Sequence, residues 1–550
     1  MRKSHLASYF SFVIFSFLFS YCAYAGPLED YVNMPDSSYT YTITSQENTI
    51  THTYYVVDLT SQTWRSSSEV NRTLWKHWLT IIVPTSITKT KGLLIISGGN
   101  NGSSATNLRD YAQYVAILTG APVALLEQVP NQPLLFKDET LSRTEDQIIA
   151  YSFDKYLQTY NAGTPDPYWP VLLPMVKSAV RAMDTIEEIV LNNHGKTISG
   201  FVIGGASKRG WTTWLTGAVD SRVIAIVPIV IDVLKMNVQM DHQYKCYGFF
   251  SERLTPYNEL HIFERMSTPG GYALRQIVDP YSYLNNYTMP KFIINASGDE
   301  FFLPDSSRFY YNELPGEKRL RYVPNSGHSL ENLTSDYNSI IALITYFNSV
   351  TSGGSRPNYS WQFLPDGSIQ VQVATNPTSV KLWQALNPNA RDFRYYDGAG
   401  PTWTSSNLSE TSPGSKTYLA TVTPPETGWK AYFIEINFSN GQFIFTTDIG
   451  ITPYMRPYDD LDEDGWMDPD DLDDDCDLIR DVYDPLPWDS DNDGIPNYLD
   501  PVDNRNTDEI PTDCLALPEG EGTPDGEGTF EGTTEGTTEG ISEGSFEGEG

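Results

Sequence analysis

The stretch Phe201-Val202-Ile203-Gly204-Gly205-Ala206-Ser207-Lys208-Arg209-Gly210-Trp211 joins an apolar run to two glycines, one serine and two cations. A helix-compatible segment follows, up to Val219. A strand, a sharp glycine-flanked turn with serine at its apex, and then a helix form the layout of a nucleophile elbow. Gly205 and Gly210 leave room for backbone to pass close to the apex. The usual pattern has a further glycine where this chain has Arg209, and the alternative is an ordinary turn in which Ser207 is only a small residue.

An elbow serine needs a base to take its proton and a carboxylate to orient that base. In proteins with this elbow the chain order is serine, acid, histidine. Asp299 follows one predicted buried strand, and His328 lies in the loop after the next one. Of the seven histidines, only His328 follows both other residues. We therefore predict a catalytic triad of Ser207, Asp299 and His328, with Glu300 as the rival acid one residue away.

Two further features belong to the predicted site. The oxyanion hole would take the backbone N–H of Lys208 and one from the loop after strand Leu93–Ile96, at Gly99 or Asn100. Arg209 is unusual beside a nucleophile, and a guanidinium binds carboxylates in a bidentate way. We expect Arg209 to bind an anionic group of the substrate. The alternative is an ion pair that holds the elbow.

The pattern on either side of the elbow predicts an α/β fold. Between about residues 91 and 350, apolar runs alternate with helical patterns, which is typical of a mainly parallel sheet with helices on both faces. The predicted strands are Leu93–Ile96, Pro122–Leu126, Gly200–Ile203, Val223–Pro228, Lys291–Asn295 and Leu320–Val323. The predicted helices are Leu108–Leu118, Glu145–Tyr156, Leu172–Leu191, Trp211–Val219, Ser306–Asn312 and Asn332–Phe347. Earlier β-type runs, between residues 28 and 90, predict antiparallel entry strands.

Two segments depart from this alternation. Residues 230–289 are rich in Met, Tyr, Phe and His and are too long for a simple crossover, so we interpret them as a mostly helical lid. The alternative is an additional packing subdomain that has no gating role. Residues 356–452 change to a period of two with Pro, Gly and Asn turns, which predicts a β-sandwich-like domain.

The N-terminus carries the features of a secretory signal. Arg2 and Lys3 precede an apolar run from Tyr9 to Phe19, and Ala23-Tyr24-Ala25 is a small-x-small cleavage site. We therefore predict a signal peptide over residues 1–25, a mature unit that begins at residue 26, and a secreted, cell-surface or periplasmic location.

The formal charge of −34 is concentrated at one end of the chain. Residues 459–550 hold 32 Asp and Glu against two Arg, so the remaining residues are nearly neutral. The acidity belongs to the tail, and nothing in the nearly neutral body suggests nucleic-acid binding, so we expect no nucleic-acid partner.

Residues 459–505 contain two cation-loop patterns, with Gly465 and Gly494 at the sixth position. The oxygen ligands are Asp460, Asp462, Asp464, Asp468 and Asp471 in the first loop, and Asp489, Asp491, Asp493, Asn497 and Asp500 in the second. Calcium takes six to eight hard oxygens around a tight turn, and this spacing supplies them. The sequence predicts structural Ca²⁺ here and no cofactor for catalysis. The alternative is a solvated acidic linker.

Beyond these loops the chain is of low complexity. Residues 515–550 are built mainly from Glu-Gly and Glu-Gly-Thr-Thr units, which cannot bury enough apolar surface to fold and predict a disordered spacer. Three cysteines remain after signal removal. Cys476 and Cys514 would close a loop around the acidic segment in an oxidising compartment and leave Cys246 unpaired, or all three remain free thiols.

Several stretches together resemble the PhoPQ-activated pathogenicity-related family. They are Leu28-Glu29-Asp30-Tyr31-Val32, Leu59-Thr60-Ser61-Gln62-Thr63-Trp64, Gln128-Val129-Pro130-Asn131-Gln132-Pro133-Leu134, Arg143-Thr144-Glu145-Asp146, Gly205-Ala206-Ser207-Lys208-Arg209-Gly210-Trp211, Ala296-Ser297-Gly298-Asp299 and Gly327-His328-Ser329-Leu330. The resemblance covers about residues 28–450 and implies an α/β-hydrolase-like domain over residues 26–350 with a trailing β domain. It supplies no substrate. The Ser-x-x-Gly elbow also resembles that of glucuronoyl esterases, and the acidic repeat resembles thrombospondin type 3 calcium repeats.

The sequence thus supports two classes of function. The first is a secreted serine hydrolase that cleaves an ester or amide, with the β domain and calcium repeats positioning it at a cell surface or envelope. The second is a non-catalytic secreted binding or signalling protein that keeps the same scaffold.

The calcium hypothesis predicts an effect of chelation. Without Ca²⁺ the clustered carboxylates repel one another, so EDTA is expected to lower or abolish a thermal unfolding transition of the full chain. Differential scanning calorimetry during an EDTA titration measures this, and re-addition of excess Ca²⁺ is expected to restore the transition. Unchanged transitions throughout the titration would contradict bound calcium.

Overall fold

The computed structural model describes residues 26–107, 109–330, 337–396 and 398–459. The predicted signal peptide, the calcium ligands from Asp460 onward, Cys476, Cys514 and the Glu/Gly-rich tail lie outside these residues. Among the residues described, every helix is too short or too polar to cross a membrane.

A nine-stranded sheet forms the centre of the protein, in the order β1-β2-β3-β5-β4-β6-β7-β8-β9. Its strands are β1 Thr40–Asn48, β2 His52–Thr63, β3 Leu74–Pro84, β4 Gly92–Ile96, β5 Val123–Leu126, β6 Phe201–Ala206, β7 Val223–Ile229, β8 Lys291–Ala296 and β9 Lys318–Val323. The first three pair antiparallel, β3 joins β5 antiparallel, and the six strands from β5 to β9 run parallel. The prediction of a mainly parallel α/β sheet with antiparallel entry strands is confirmed.

Helices connect the parallel strands. They are α1 Pro27–Asn33, α2 Arg109–Thr119, α3 Asp146–Asn161, α4 Leu172–His194, α5 Lys208–Val219, α6 Met236–Tyr247, α7 Thr255–Asn258, α8 Ile262–Arg265, α9 Pro269–Val278 and α10 Tyr337–Thr351. The predicted helix Ser306–Asn312 is instead two short 3-10 turns, Ser306–Phe309 and Tyr311–Glu313. Ser307 there is held by side-chain hydrogen bonds to Asp448 and Tyr322, so long-range contacts override the local pattern.

The sheet is covered on both faces because its strands are apolar on both faces. In β6, Phe201 and Ile203 lie in one core cluster, which also contains residues of α3, α4 and α5. Val202 between them lies in a second cluster with Tyr346 and Phe347 of α10. Period-two alternation therefore sends neighbouring side chains into two separate cores, as expected for a strand buried on both sides.

Residues 359–452 form two antiparallel sheets. The first has the order β10-β11-β14 and the second β13-β12-β15-β16, with β17 paired to β15. The strands are β10 Tyr359–Phe363, β11 Ile369–Val373, β12 Ser379–Asn387, β13 Thr404–Asn407, β14 Thr417–Ala420, β15 Trp429–Phe438, β16 Phe443–Thr446 and β17 Gly450–Thr452. Their inner faces share a core with β8 and α10, where the ring of Phe292 lies 5.6 Å from that of Phe445. These sheets therefore pack directly on the α/β sheet.

A buried polar cluster ties the second half of the chain to the first. Arg391, in the loop after β12, donates to Asp305 at 2.7 Å and to the sulfur of Cys246 at 2.9 Å. His242 of α6 lies 3.1 Å from the same Asp305 carboxylate. Burial acts to raise the pKa of Asp305, but the charge of Arg391 together with His242 holds it well below its usual range. Burial also raises the pKa of the Cys246 thiol to about 12, so Cys246 is a neutral packing group at physiological pH.

Removing the cation from this cluster is expected to destabilise the fold. Arg391→Ala leaves Asp305 buried without its guanidinium, which costs about 3–5 kcal/mol for a broken buried pair. Urea unfolding of the two proteins measures the difference. Lys381→Ala is the control, because Lys381 is partly exposed and lies 3.7 Å from Glu435, and such pairs contribute about 0–1 kcal/mol. Equal losses in the two variants would contradict a structural role for the buried cluster.

Candidate functional site

Ser207 occupies the turn between β6 and α5 in a conformation that few non-glycine residues adopt, with φ 57° and ψ −132°. Its flanking glycines are required by space. A Cβ on Gly205 would lie 2.7 Å from the carbonyl oxygen of Arg209, and one on Gly210 would lie 2.6 Å from Ile231. The tight turn predicted from the sequence is therefore present, and its backbone strain is of the kind found at functional serines.

The loop after β4 lies beside this turn because β4 and β6 are parallel neighbours, with Ile96 opposite Gly205. Gly98 touches the guanidinium of Arg209, since a Cβ there would lie 2.5 Å from it. Gly99 has φ +125°, which favours glycine. The backbone N–H groups of Gly99 and Asn100 make no hydrogen bond within the part of the chain that the structure describes. The two loops predicted to form the oxyanion hole are thus adjacent.

Arg209 is turned into the protein. Its Nε donates to the carbonyl of Val129 at 2.5 Å, and a terminal nitrogen donates to Glu145 at 2.9 Å. The side chain is only 12 % exposed. The structure therefore places Arg209 in the ion pair that holds the elbow, which is the alternative to its predicted contact with a substrate anion.

The side chain of Lys208 completes a charge network beside the serine, in which Lys208, Arg209 and Asp146 are mostly buried and Glu145 is 40 % exposed. Its Nζ lies 2.9 Å from Glu145 and 2.9 Å from Asp146, at the start of α3. Asp146 also accepts a hydrogen bond from the hydroxyl of Tyr257, which belongs to the 230–289 insertion. Two cations after the serine thus face two carboxylates, and the network links the elbow to the insertion.

Glu145 is the centre of this network and was given no role from the sequence. Gln132 fixes it from both sides, by accepting its backbone N–H at 2.7 Å and donating to its carboxylate at 2.5 Å. Burial acts to raise the pKa of Glu145, but the hydrogen bond from Arg209 and the charges of Lys208 and Arg209 lower it to about 2. The sequence signals for it were the acidic pair that opens a helix pattern and its place in the stretch Arg143-Thr144-Glu145-Asp146, which carries part of the family resemblance.

Asp299 and His328 form a hydrogen-bonded pair. Nδ1 of His328 lies 2.9 Å from both oxygens of Asp299, and the Asp299 side chain is only 4 % exposed. Glu300 instead accepts the backbone N–H of His328 at 2.5 Å. The geometry therefore separates the two candidate acids, since Asp299 contacts the imidazole and Glu300 holds the loop.

The other imidazole nitrogen is buried. Nε2 of His328 has no hydrogen-bond partner among the described residues, Ser207 included. The ring packs against Phe301, with ring centres 4.3 Å apart. Phe301 and Phe302 in turn line the same pocket as Ser207. An unpartnered buried nitrogen calls for an explanation, and catalytic hydrogen bonds are often long in structures without substrate.

The pocket beside Ser207 is mainly apolar. Its remaining lining residues are Asp146, Lys208, Trp211, Ile231, Val233, Met236, Gln239, Met240, Leu254, Tyr257, Phe263 and Met266. Most of these belong to the predicted lid, residues 230–289, which therefore covers the serine. The polar groups at its floor, Lys208 and Asp146, are paired with each other.

A loop of the second half of the chain braces the acid and histidine loops. The backbone N–H of Tyr395 donates to the carbonyl of Gly298 at 2.8 Å, and Gly327 lies so close to the Tyr395 carbonyl that a Cβ would be 2.7 Å from it. Asn325 exchanges two hydrogen bonds with the backbone of Trp403, at 2.7 and 3.0 Å. The sequence did not predict these contacts, because no local sequence pattern indicates a contact between distant loops.

The calcium ligands predicted from Asp460 to Asp500 lie outside the described residues. Within the described ranges, no group of three or more His, Cys, Asp or Glu side chains is arranged to hold a metal ion.

The fold and this site define an α/β protein of hydrolase-like architecture, with a strained serine turn and an acid–histidine pair at the carboxyl edge of a parallel sheet. The chain belongs to the PhoPQ-activated pathogenicity-related protein family, whose pattern it matches over residues 28–394. The family predicted from sequence motifs is confirmed.

A curated relative supports the same assignment. Autocrine proliferation repressor protein A of Dictyostelium discoideum is 36 % identical over 468 residues, which cover 79 % of this chain and 92 % of that protein.

Solved structures with a similar fold include two esterases. An acetyl xylan esterase from Paenibacillus sp. R4 has 13 % identity and a TM-score of 0.38, covering 58 % of this chain and 92 % of that one. A glucuronoyl esterase from Solibacter usitatus has 13 % identity and a TM-score of 0.30, covering 50 % of this chain and 73 % of that one. These values are low, and the fold assignment rests on the sheet topology of the chain itself.

The network at Glu145 predicts a pH-dependent stability. The folded pKa of about 2 lies below the unfolded value, which is about 4.3 for a glutamate. The stabilisation is therefore fully present above the unfolded pKa and lost as the pH falls toward the folded one. Glu145→Gln is expected to lower the urea midpoint clearly at pH 7 and by about half as much at pH 3.

The exposed Glu426 provides the matched control. Glu426→Gln should leave the urea midpoint unchanged at both pH values, because no ion pair is lost there. A deficit of Glu145→Gln that is the same at pH 3 and pH 7 would refute an ionised Glu145 as the source of the stabilisation.

Proposed function

We propose that this protein is a secreted serine hydrolase that cleaves an ester or amide bond. The observation that carries the proposal is the Asp299–His328 pair, whose free nitrogen is buried beside the phenylalanines that line the Ser207 pocket. Three residues of the right kinds, in the right chain order, thus converge at one edge of the sheet. The strained backbone of Ser207 supports the same reading, because strain at a turn is retained where it positions a reacting group.

The mechanism follows from these positions. The Oγ of Ser207 attacks the substrate carbonyl while Nε2 of His328 takes its proton, and Asp299 keeps the proton on Nδ1 and stabilises the imidazolium. The backbone N–H groups of Lys208 and of Gly99 or Asn100 hold the developing oxyanion. His328 then protonates the leaving alcohol or amine. A water activated by the same nitrogen hydrolyses the acyl-enzyme and restores Ser207.

The pocket supports a substrate with an apolar group next to the scissile bond. Its walls are methionines and aromatic rings from the insertion, and its charged floor residues neutralise each other. Because Arg209 is engaged by Glu145 and Val129, nothing in the described residues favours the anionic substrate expected from the sequence.

Secretion through residues 1–25 and calcium in residues 459–505 complete the proposal. The calcium repeats follow the two antiparallel sheets along the chain and would hold the enzyme at a cell surface or envelope, with the Glu/Gly-rich tail as spacer. Both features are proposed from the sequence patterns, and catalysis itself requires no metal in this scheme.

A second candidate function is non-catalytic extracellular signalling. The relative from Dictyostelium discoideum is named as an autocrine proliferation repressor. Under this alternative the scaffold binds a partner and Ser207 takes part in no reaction. The two functions differ in whether a biological effect needs the serine hydroxyl.

Active-site labelling separates the two candidates. A fluorophosphonate probe is expected to label the wild type and to leave Ser207→Ala unlabelled, because only an activated serine reacts with phosphorus in this way. Hydrolysis of aryl esters should fall to background in the same variant. Labelling followed by intact-mass spectrometry measures one adduct per chain.

Ser199→Ala is the matched control, since Ser199 is exposed and precedes the same strand. It should be labelled like the wild type. Folded wild-type protein that takes up no probe, or a Ser207→Ala variant labelled as strongly as the wild type, would rule out the proposed nucleophile.

The separate positions of the two acids give a further prediction. Asp299→Asn is expected to lower kcat/KM by about 10³–10⁴-fold, because the imidazole loses its orientation and charge partner. Glu300→Gln should cause a smaller loss, since its carboxylate accepts the backbone N–H of His328 and lies 3.7 Å from Arg253. Ester hydrolysis by the two purified variants, measured at a temperature at which both are folded, tests this. The reverse order of losses would assign the acid to Glu300.

A further inference from the structure

A second cavity lies where the α/β sheet meets the first antiparallel sheet. It encloses about 430 Å³, within the range of small-ligand sites. Its lining residues are Tyr311, Asn312, Gly316, Glu317, Lys318, Arg319, Asn358, Tyr359, Ser360 and Trp361. They come from the loop before β9, the start of β9 and the strand β10, and the catalytic scheme uses none of them.

This cavity is separate from the Ser207 pocket. Lys318 opens β9 and pairs with Lys291 at the start of β8, so it marks the amino edge of the parallel strands. Ser207, Asp299 and His328 all follow the carboxyl ends of their strands. The two sites therefore lie at opposite edges of one sheet, and the second is no extension of the first.

Aromatic rings form one wall of the cavity. The half-buried ring of Trp361 lies 5.4 Å from the ring of Tyr359, with nearly parallel planes, and 5.0 Å from that of Tyr311. The Trp361 Nε1 donates to Asp448 at 3.3 Å, which fixes the ring. A rigid, partly exposed aromatic surface suits a ligand that presents an apolar face, such as the C–H face of a sugar ring.

Two cations in the same cavity, Lys318 and Arg319, keep N–H donors that the described residues do not use. Lys318 donates to the carbonyls of Asn312 and Leu314, at 2.7 and 3.0 Å, which leaves the third ammonium proton available. Arg319 is 8 % exposed, and its Nε has no partner among the described residues. Glu317 lies 3.9 Å from Arg319.

The only acidic side chain in the lining is already engaged. Both oxygens of Glu317 accept hydrogen bonds from Arg356, at 2.5 and 2.6 Å. Its charge is therefore balanced from outside the cavity, and Lys318 and Arg319 remain to attract an anion. A carboxylate matches the geometry of a guanidinium better than a neutral hydroxyl does.

Exposed polar groups complete the rim. Asn312, Asn358 and Ser360 are exposed and carry amides and a hydroxyl, which donate to and accept from sugar hydroxyls. An apolar platform, a pair of cations and a polar rim are the three elements that a saccharide bearing carboxylates requires.

We propose that this cavity binds an acidic saccharide, with the sugar face on Trp361 and its carboxylate at Lys318 and Arg319. The site is distinct from the proposed catalytic centre and does not depend on it. It would hold the protein on a polyanionic glycan while the opposite edge of the sheet remains open.

The test measures binding of a galacturonic acid trisaccharide to the full chain by isothermal titration calorimetry and by tryptophan fluorescence. The wild type should bind the trisaccharide, and raising the salt concentration should weaken binding because the anion contributes. Trp361→Ala removes the ring on which the sugar face would lie and should weaken binding by more than about tenfold, as expected when a central contact is lost. Trp361 is only half-buried, and thermal unfolding of the variant checks that it folds.

Trp383→Ala is the matched control, because Trp383 is also half-buried and donates its Nε1 to a carboxylate, that of Glu435 at 3.2 Å, but lies outside the cavity lining. It should bind like the wild type, and Lys318→Gln should weaken the trisaccharide while leaving any binding of neutral maltotriose unchanged. Absence of binding to the wild type at millimolar trisaccharide, or equal affinity for maltotriose, would overturn the proposal. So would binding that Trp361→Ala leaves intact.

The same titration on Ser207→Ala keeps this inference apart from the hydrolase proposal. Binding should be unchanged in that variant. Trisaccharide affinity that disappears in Ser207→Ala would place the saccharide in the catalytic pocket and contradict a second site.

Discussion

The hydrogen bond between Asp299 and His328 is the contact on which the candidate site depends, and neither residue lies in a helix or strand. A pair held on two loops keeps its geometry only if each loop is fixed from outside. Glu300 does this by accepting the backbone N–H of His328, and Tyr395 does it by contacting the loops of both residues. The second half of the chain is therefore part of the site's support, and rigid support is what makes an active-site geometry usable.

The serine side of the site is held by ion pairs instead of by contacts with a packed loop. Arg209 stands where the common elbow has glycine, and its guanidinium reaches Glu145 and the carbonyl of Val129. Lys208 adds a second cation between Glu145 and Asp146. Because the opposite charges compensate one another, the partly buried network beside the serine avoids the desolvation cost that an isolated buried ion would have.

How much of the fold and of the site could be predicted from the sequence depends on which interactions are local along the chain. The strands and their order along the chain could be predicted from apolar runs, and the sheet agrees with them. The triad candidates were predicted from glycine spacing and chain order. The role of Arg209 could not be decided, because its partner Glu145 lies 64 residues away and an exposed and a buried arginine have the same sequence signature. The contacts of Tyr395 could not be predicted for the same reason, because a turn residue carries no local signal of a contact with a distant loop.

The antiparallel sheets contribute to both edges of the parallel sheet. The loop that contains Tyr395 meets the acid and histidine loops at the carboxyl edge, and β10 closes the cavity around Trp361 at the amino edge. Between these points Phe445 packs on Phe292 of β8, so the two halves share one core. A unit that contacts the sheet at both edges and packs on it in between takes its position from these contacts. That position is thus part of the same folded structure that supports the loops of Asp299 and His328.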